Sequence, residues 1–269
     1  MTRKIEEIVE HVRNHRCYSH PVFKSWAEND PSPEVIGALF HQIRSFCDST
    51  RPGWNFPAAV KELGLSRESS LLQEIVESEE DHGPHLAEMS GYILNKRAGR
   101  QVCPEVSDQL AVEGKLKQYS DELLGTLPGY DHITGQTVQC RQARQVFDRR
   151  KLKDRDSTFR NLGTALALEM ISNQQLIPGE KHSLVDSELY GAKLTDPEMH
   201  YLFEHWGEIG AEQQHEKNAI VAVGSVLNAE TEPLIMQGVD EFLSSLANLW
   251  DLLDAALLKS GCKKEAVAA

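Results

Sequence analysis

The sequence predicts an all-α protein. Between its proline and glycine breaks, the long segments place apolar residues every three or four positions, which is the spacing of one helix face. No run of alternating apolar and polar residues exceeds a few positions, so no strand is predicted. The segments RPG at 51–53 and IPG at 177–179 mark places where helices are expected to end.

Composition argues against several classes of protein. The 269 residues carry a formal net charge of −13, whereas a nucleic-acid partner needs a basic surface. No apolar run reaches about 18 residues, so we expect no transmembrane helix and no membrane partner, and the N-terminus lacks the apolar stretch of a signal peptide. Because the cysteines are odd in number and scattered, we expect reduced thiols in a cytoplasmic protein. They are Cys17, Cys47, Cys103, Cys140 and Cys262.

The first helices follow from the apolar pattern. Residues 3 to 14 carry isoleucine and valine on one side, and a His-Pro pair separates them from a short helix, VFKSWAEN. The turn PSP at 31–33 precedes the helix EVIGALFHQIRSFCDST. After the RPG break, AAVKELGL predicts another short helix.

Residues 66 to 93 form the next predicted element and carry the first unusual polar group. Their apolar stripe, extended in steps of three and four, reaches Glu79 and then His82. A glycine–proline pair bends or interrupts the helix, and His85 follows directly. A carboxylate and a histidine are therefore expected on a side that faces the core.

Residues 95 to 157 are the most polar part of the chain. Their charged segments could be helical, but the apolar face is thin. We therefore expect one domain over residues 1 to 269, in which 95 to 157 form a peripheral insertion. The basic cluster at 149–151 is expected to lie on a solvated face.

The segment STFRNLGTALALEMISNQQL predicts an apolar helix that contains a single acidic residue in its apolar face. Glu169 lies among leucines and alanines, and no lysine or arginine occurs within one turn of it. A buried carboxylate needs a cation or a proton. We therefore expect a partner for Glu169 from elsewhere in the fold.

The spacing predicts one helix over residues 195 to 224, with Thr195 or Asp196 as its cap. Four polar residues follow its apolar stripe at separations of three, four and three residues, so one helix face would carry them all. They are His205, Glu208, Glu212 and His215. A last helix is predicted from about residue 232 to 259.

Three predicted helices thus offer inward-facing acidic or imidazole groups, which an antiparallel bundle can bring to one point. A mixed set of about six such ligands suits iron or manganese better than zinc, which prefers four. The candidate ligands are Glu79, His82, His85, Glu169, His205, Glu208, Glu212 and His215.

In this order of ligands, the sequence resembles the haem-oxygenase-like di-iron oxidases and oxygenases. The resemblance covers most of the chain and includes NHRCYSHPVFKSW, EIVESEEDHGPH, LEMISNQQLIP and HWGEIGAEQQH. It implies a haem-oxygenase-like seven-helix bundle that binds no haem, with two Fe(II) ions per chain and dioxygen as a co-substrate.

Carried over by position, the resemblance implies six ligands: Glu79, His85, Glu169, His205, Glu212 and His215. The family often carries His-x-x-x-Asp-x-x-His on its last ligand helix, whereas His205 lies ten residues before His215. Either His205 or Glu208 can therefore fill that position. The first glutamate–histidine spacing varies in the family, which leaves Glu79 or Glu80, and His82 or His85, open.

The resemblance also implies a reaction. The expected substrate is a small amino-acid-like or carboxylate metabolite, which would undergo N-oxygenation or oxidative carbon–carbon cleavage; a homodimer is the assembly we consider. Two alternatives remain. One is a metal-free haem-oxygenase-like protein such as a thiaminase-type hydrolase, for which Cys47 is the candidate nucleophile. The other is a helical binding protein.

Overall fold

The computed structural model describes residues 3–51, 53–79, 82–207 and 210–261. Over these ranges the chain is helical and contains no β-strand, which confirms the all-α prediction. The one β-type contact in these ranges is an isolated antiparallel bridge between Asp131 and Gln136. Within the same ranges, no helix combines the length and the apolar character needed to cross a membrane.

The α-helices differ widely in length, and short 3₁₀ and π-helical turns join some of them. They are α1 (Arg3–Asn14), α2 (Val22–Asn29), α3 (Pro33–Thr50), α4 (Asn55–Glu62), α5 (Ser66–Ser78), α6 (His82–Ala98), α7 (Gln109–Leu124), α8 (Val138–Gln145), α9 (Arg155–Ile171), α10 (Ile177–Lys181), α11 (His200–His205), α12 (Glu212–Val226) and α13 (Glu232–Gly261).

Helix α13 is the longest element and packs along α9 and α2, while α12 packs against α9 and α5. The apolar residues that recur every three or four positions along α13 are completely buried, as expected for one helix face; they include Phe242, Leu249, Leu253 and Leu257. Trp250 and Phe242 on α13 contact the ring of Phe46 on α3, with centroids 6.4 Å apart in both pairs. Helix α9 thus lies between α13 and α12, and α9 and α12 carry three of the buried polar residues, Glu169, Glu212 and His215.

Much of the segment from 95 to 157, predicted as a peripheral insertion, packs into the core instead. Helix α7 lies along α3, and α8 lies against α3 and α13. Val112, Leu116 and Cys140 are completely buried there. The apolar face of this segment is narrow, but a few well-spaced apolar residues are enough to pack its helices against their neighbours.

The helix that carries Glu169 continues past the IPG segment, where the sequence predicts its end. The π-helical segment Ser172–Leu176 follows α9, and a second, His182–Asp186, follows α10, so the helical path runs from Arg155 to Asp186. Proline cannot donate a backbone hydrogen bond, and its ring crowds the carbonyl one turn earlier. We attribute the wider π turn before Pro178 to this conflict.

The predicted helix over 195 to 224 is divided into two. Helix α11 ends at His205, Trp206 is extended, and Gly207 has a φ of +86°, a left-handed conformation that glycine adopts without strain. Helix α12 begins at Glu212. The prediction that one helix face carries all four polar residues is therefore wrong, because this turn separates His205 from Glu212 and His215.

Candidate metal centre

Five of the side chains named from the sequence converge in the core. Glu79 directly follows α5, Glu169 is in the last turn of α9, and His205 is the last residue of α11. Glu212 and His215 lie in the first turns of α12, three residues apart and so on one face. Four separate elements thus bring three carboxylates and two imidazoles together.

The potential ligand atoms form two overlapping groups. One contains Glu79, His205 and Glu212, and the other contains Glu169, Glu212 and His215; the ligand atoms of each group lie within 4.8 Å of one another. The His205 Nε2 is 3.6 Å from a Glu212 oxygen and 3.9 Å from a Glu79 oxygen. The His215 Nδ1 is 3.8 Å from the same Glu79 oxygen and 3.7 Å from a Glu169 oxygen. Glu212 belongs to both groups.

Hydrogen bonds orient both imidazoles toward the carboxylates. The Nδ1 of His205 is 2.6 Å from the carbonyl oxygen of Tyr201, which leaves Nε2 facing Glu79 and Glu212. The Nε2 of His215 is 2.7 Å from the Ser78 hydroxyl, which leaves Nδ1 facing the carboxylates. Contacts of this kind fix the ring nitrogen that is offered to a metal.

Burial makes this cluster of acids costly without a cation. Glu169, His205, Glu212 and His215 are each at most 6% exposed. Burial, and then the charge of Glu79, raises the pKa of Glu169 to about 8. Burial, and then Glu169 and Glu79, raises the pKa of Glu212 well above its usual range. The carboxyls must therefore take up protons or share bound cations.

Hydrogen bonding distinguishes Glu212 from its neighbour Glu216 on the same helix. Glu216 accepts hydrogen bonds from the side-chain amides of Asn173 and Gln174. The Glu212 Oε2 is inaccessible to solvent and, among the described residues, has no hydrogen-bond partner. An oxygen of this kind in the carboxylate shared by both groups fits a bridging metal ligand.

The donor set also fits iron in its chemistry. Three carboxylates and two imidazoles are hard and borderline ligands, and Glu-x-x-His on a helix is the spacing used by helical di-iron carboxylate sites. Glu212 and His215 have this spacing. Of the described residues, no cysteine belongs to the ligand groups, so the thiolate ligation common in structural zinc sites is not offered.

A small cavity of about 30 Å³ lies beside the carboxylates. Its walls include Leu168, Leu176 and Ile177, together with Tyr201 and Cys47. Burial, and then the charge of Glu180, raises the pKa of the Cys47 thiol well above its usual range. A thiol in such surroundings resists conversion to the reactive thiolate.

The remaining predicted ligands either lie away from this group or fall outside the described residues. His85, near the start of α6, faces Glu204 rather than the five converging side chains, with its Nδ1 3.6 Å from a Glu204 oxygen. His82 begins α6, but its side chain is outside the described residues, as is the whole of Glu208.

Three contributors to the site are missed by the sequence reasoning. Arg150, expected on a solvated face, is buried and donates a hydrogen bond of 2.7 Å to the Thr50 carbonyl; its charge partly offsets the rise in the Glu169 pKa. Tyr201 packs its ring on His205, with centroids 4.4 Å apart. Glu180 is a second buried acid on the helical path of Glu169, hidden by the expectation that this helix ends at IPG.

No protein-family model matches this chain, and no curated protein shows significant similarity to it. A candidate metal centre is therefore indicated only by the geometry and electrostatics of five side chains, Glu79, Glu169, His205, Glu212 and His215.

Proposed function

We propose that this protein is a non-haem di-iron, dioxygen-dependent oxidase or oxygenase with a haem-oxygenase-like helical bundle. Its substrate would be a small amino-acid-like or carboxylate metabolite, modified by N-oxygenation or oxidative carbon–carbon cleavage in the cytoplasm. The observation that carries the proposal is the pair of buried ligand groups that share Glu212. Bound cations would offset the free energy that it costs to bury three carboxylates at one point.

The two groups suggest how the ions would be held. Glu79 and His205 would hold one ion, Glu169 and His215 would hold the other, and Glu212 would bind both. Bound Fe(II) would supply dioxygen activation, which no protein side chain provides.

The protein's own residues contribute orientation and a dry environment. The Tyr201 carbonyl and the Ser78 hydroxyl hold the two imidazoles in place. Leu168, Leu176 and Ile177 line the cavity and keep bulk water from the carboxylates. A cavity of about 30 Å³ is far smaller than the roughly 300–1,000 Å³ of pockets that hold drug-sized ligands. A larger metabolite therefore requires the lining side chains to move apart.

The thiaminase-type alternative is less well supported, although Cys47 does line the cavity. A nucleophilic cysteine needs a nearby cation or a general base that lowers the thiol pKa. The charges that act most strongly on Cys47 come from the acids Glu180, Asp48 and Glu79, which raise that pKa. The same acids favour a bound cation.

Anaerobic loading with Fe(II), followed by exposure to dioxygen, tests the proposal. The wild-type protein is expected to consume oxygen and to develop a transient visible absorption. Glu169→Gln removes one carboxylate charge at nearly constant volume and is expected to do neither. Equal oxygen consumption by both proteins would contradict the proposal, as would none by the iron-loaded wild type with any amino-acid-like or carboxylate candidate.

A further inference from the structure

A second group of potential metal ligands lies outside the buried cluster. His200 and Glu204 are four residues apart on α11, and His85 approaches them from the start of α6. The His200 Nε2 is 3.0 Å from one Glu204 oxygen, and the His85 Nδ1 is 3.6 Å from the other. The two imidazole rings meet edge to face with centroids 4.7 Å apart, and one ligand atom from each residue fits within 4.8 Å.

The His85 ring has a buried nitrogen that faces this group. Its Nδ1 is inaccessible to solvent and has no hydrogen-bond partner among the described residues. A buried ring nitrogen is costly without a partner, whether it carries a proton or a lone pair, and a bound metal would remove that cost. The nearest acceptor, Glu204, is beyond hydrogen-bonding distance from this nitrogen but close enough for both to ligate one ion.

We propose that His85, His200 and Glu204 form a peripheral Zn²⁺ site that joins α6 to α11. Two imidazoles and one carboxylate, with a water molecule in the fourth position, make up a common zinc site with an open position. This set contains one carboxylate, whereas the buried cluster contains three. The difference in donors favours zinc at the periphery and iron in the core.

The position of the peripheral site gives it a structural consequence. The side chains of His200 and Glu204 are 48% and 40% exposed, so an ion can reach them without opening the core. The residue after Glu204 is the buried His205. An ion that fixes α11 against α6 would therefore also hold His205 in position, and zinc at the periphery would increase the affinity of the core for iron.

Zinc titration of a variant with a disabled core tests this site directly. In the full-length chain, Glu169→Gln combined with Glu212→Gln removes two core carboxylates. Calorimetric titration with Zn²⁺ should still find one ion per chain. Adding His200→Ala should weaken that binding at least tenfold, whereas adding His182→Ala, at an exposed histidine outside the group, should leave it unchanged.

Two further measurements keep the test decisive if the double variant does not fold. In the otherwise wild-type chain, His200→Ala should lower the zinc content by one ion while leaving iron binding possible. Zinc should also shift the imidazole nitrogen signals of His85 and His200 in the NMR spectrum. Zinc content unchanged by His200→Ala would overturn the proposal. Loss of core iron in His85→Ala, with no zinc lost in His200→Ala, would overturn it too, because His85 would then belong to the core.

Discussion

Glu180 is a buried acid whose charge acts on Glu212 but which is not one of the proposed metal ligands. It is 2% exposed, and neither carboxyl oxygen has a hydrogen-bond partner among the described residues. Burial raises its pKa to about 8. Because the folded-state pKa exceeds the unfolded value near 4.5, this group favours folding most below pH 4.5. That contribution is lost as the pH rises through about 8.

Glu180→Gln should therefore remove a pH dependence from the free energy of unfolding. Near pH 5 the variant and the wild type should be similarly stable, because both side chains are neutral. Near pH 8 the variant should be more stable, by on the order of a few kcal/mol. Urea unfolding of metal-free protein at both pH values measures this. Glu77→Gln, at an exposed position, is the matched control, and an equal effect of the two substitutions would show that burial of Glu180 is not the cause.

The sequence identifies Glu169 as a candidate ligand because a single acidic residue within an apolar helix is easily recognised. Arg150 and Tyr201 are not predictable in the same way. Arg150 stands in a charged run, and only the packing of Phe147 and Phe56 around its guanidinium shows that it is buried. When segments far apart in the sequence bury a side chain, the residues next to it in the sequence do not reveal that burial.

Two glycines set the distance between α9 and α13. A Cβ added at Gly163 would lie 1.9 Å from the backbone oxygen of Ile235, and one at Gly238 would lie 1.9 Å from that of Arg160. The two helix backbones therefore touch at this point. Since α9 carries Glu169, the contact also determines how far that carboxylate extends toward α12.

Gly238→Ala should destabilise the protein by about 1–3 kcal/mol. The added methyl group would meet the backbone of α9, which cannot move aside as the end of a flexible side chain can. Iron affinity should fall as well, since α9 must shift. Gly114→Ala is the control: this glycine lies within α7 with no atom within 4 Å of the added Cβ. That change should stabilise the protein by up to about 1 kcal/mol. Equal melting temperatures for the two variants would count against the close helix contact.

The apolar periodicity predicts which segments are helical far more accurately than it predicts where each helix ends. The apolar stripe of α13 is visible in the sequence and fully buried. The break after His205 depends on a left-handed glycine at 207, and glycine also occurs inside predicted helices. Proline at 178 signals an end, yet the widened turn before it lets the helix continue.

The packing of α7 and α8 gives a prediction for the whole molecule. Because both helices bury apolar residues against α3, their amides should exchange with solvent as slowly as those of α3. The turn around Gly99, where a substituent would meet no atom, should exchange quickly. Hydrogen exchange read by mass spectrometry can compare these segments. Fast exchange throughout α7 and α8 would contradict this packing and would favour the prediction that residues 95 to 157 form a peripheral insertion.

The iron content of three proteins tests the central claim most directly. After anaerobic incubation with Fe(II) and removal of unbound metal, the wild type should retain two ions per chain, as a helical di-iron carboxylate site does. Glu212→Gln should lose most of this iron, because Glu212 belongs to both ligand groups. Glu77→Gln, an exposed change on α5, should retain the wild-type content. Full loading of Glu212→Gln, or loss in Glu77→Gln alone, would contradict this placement of the metal centre.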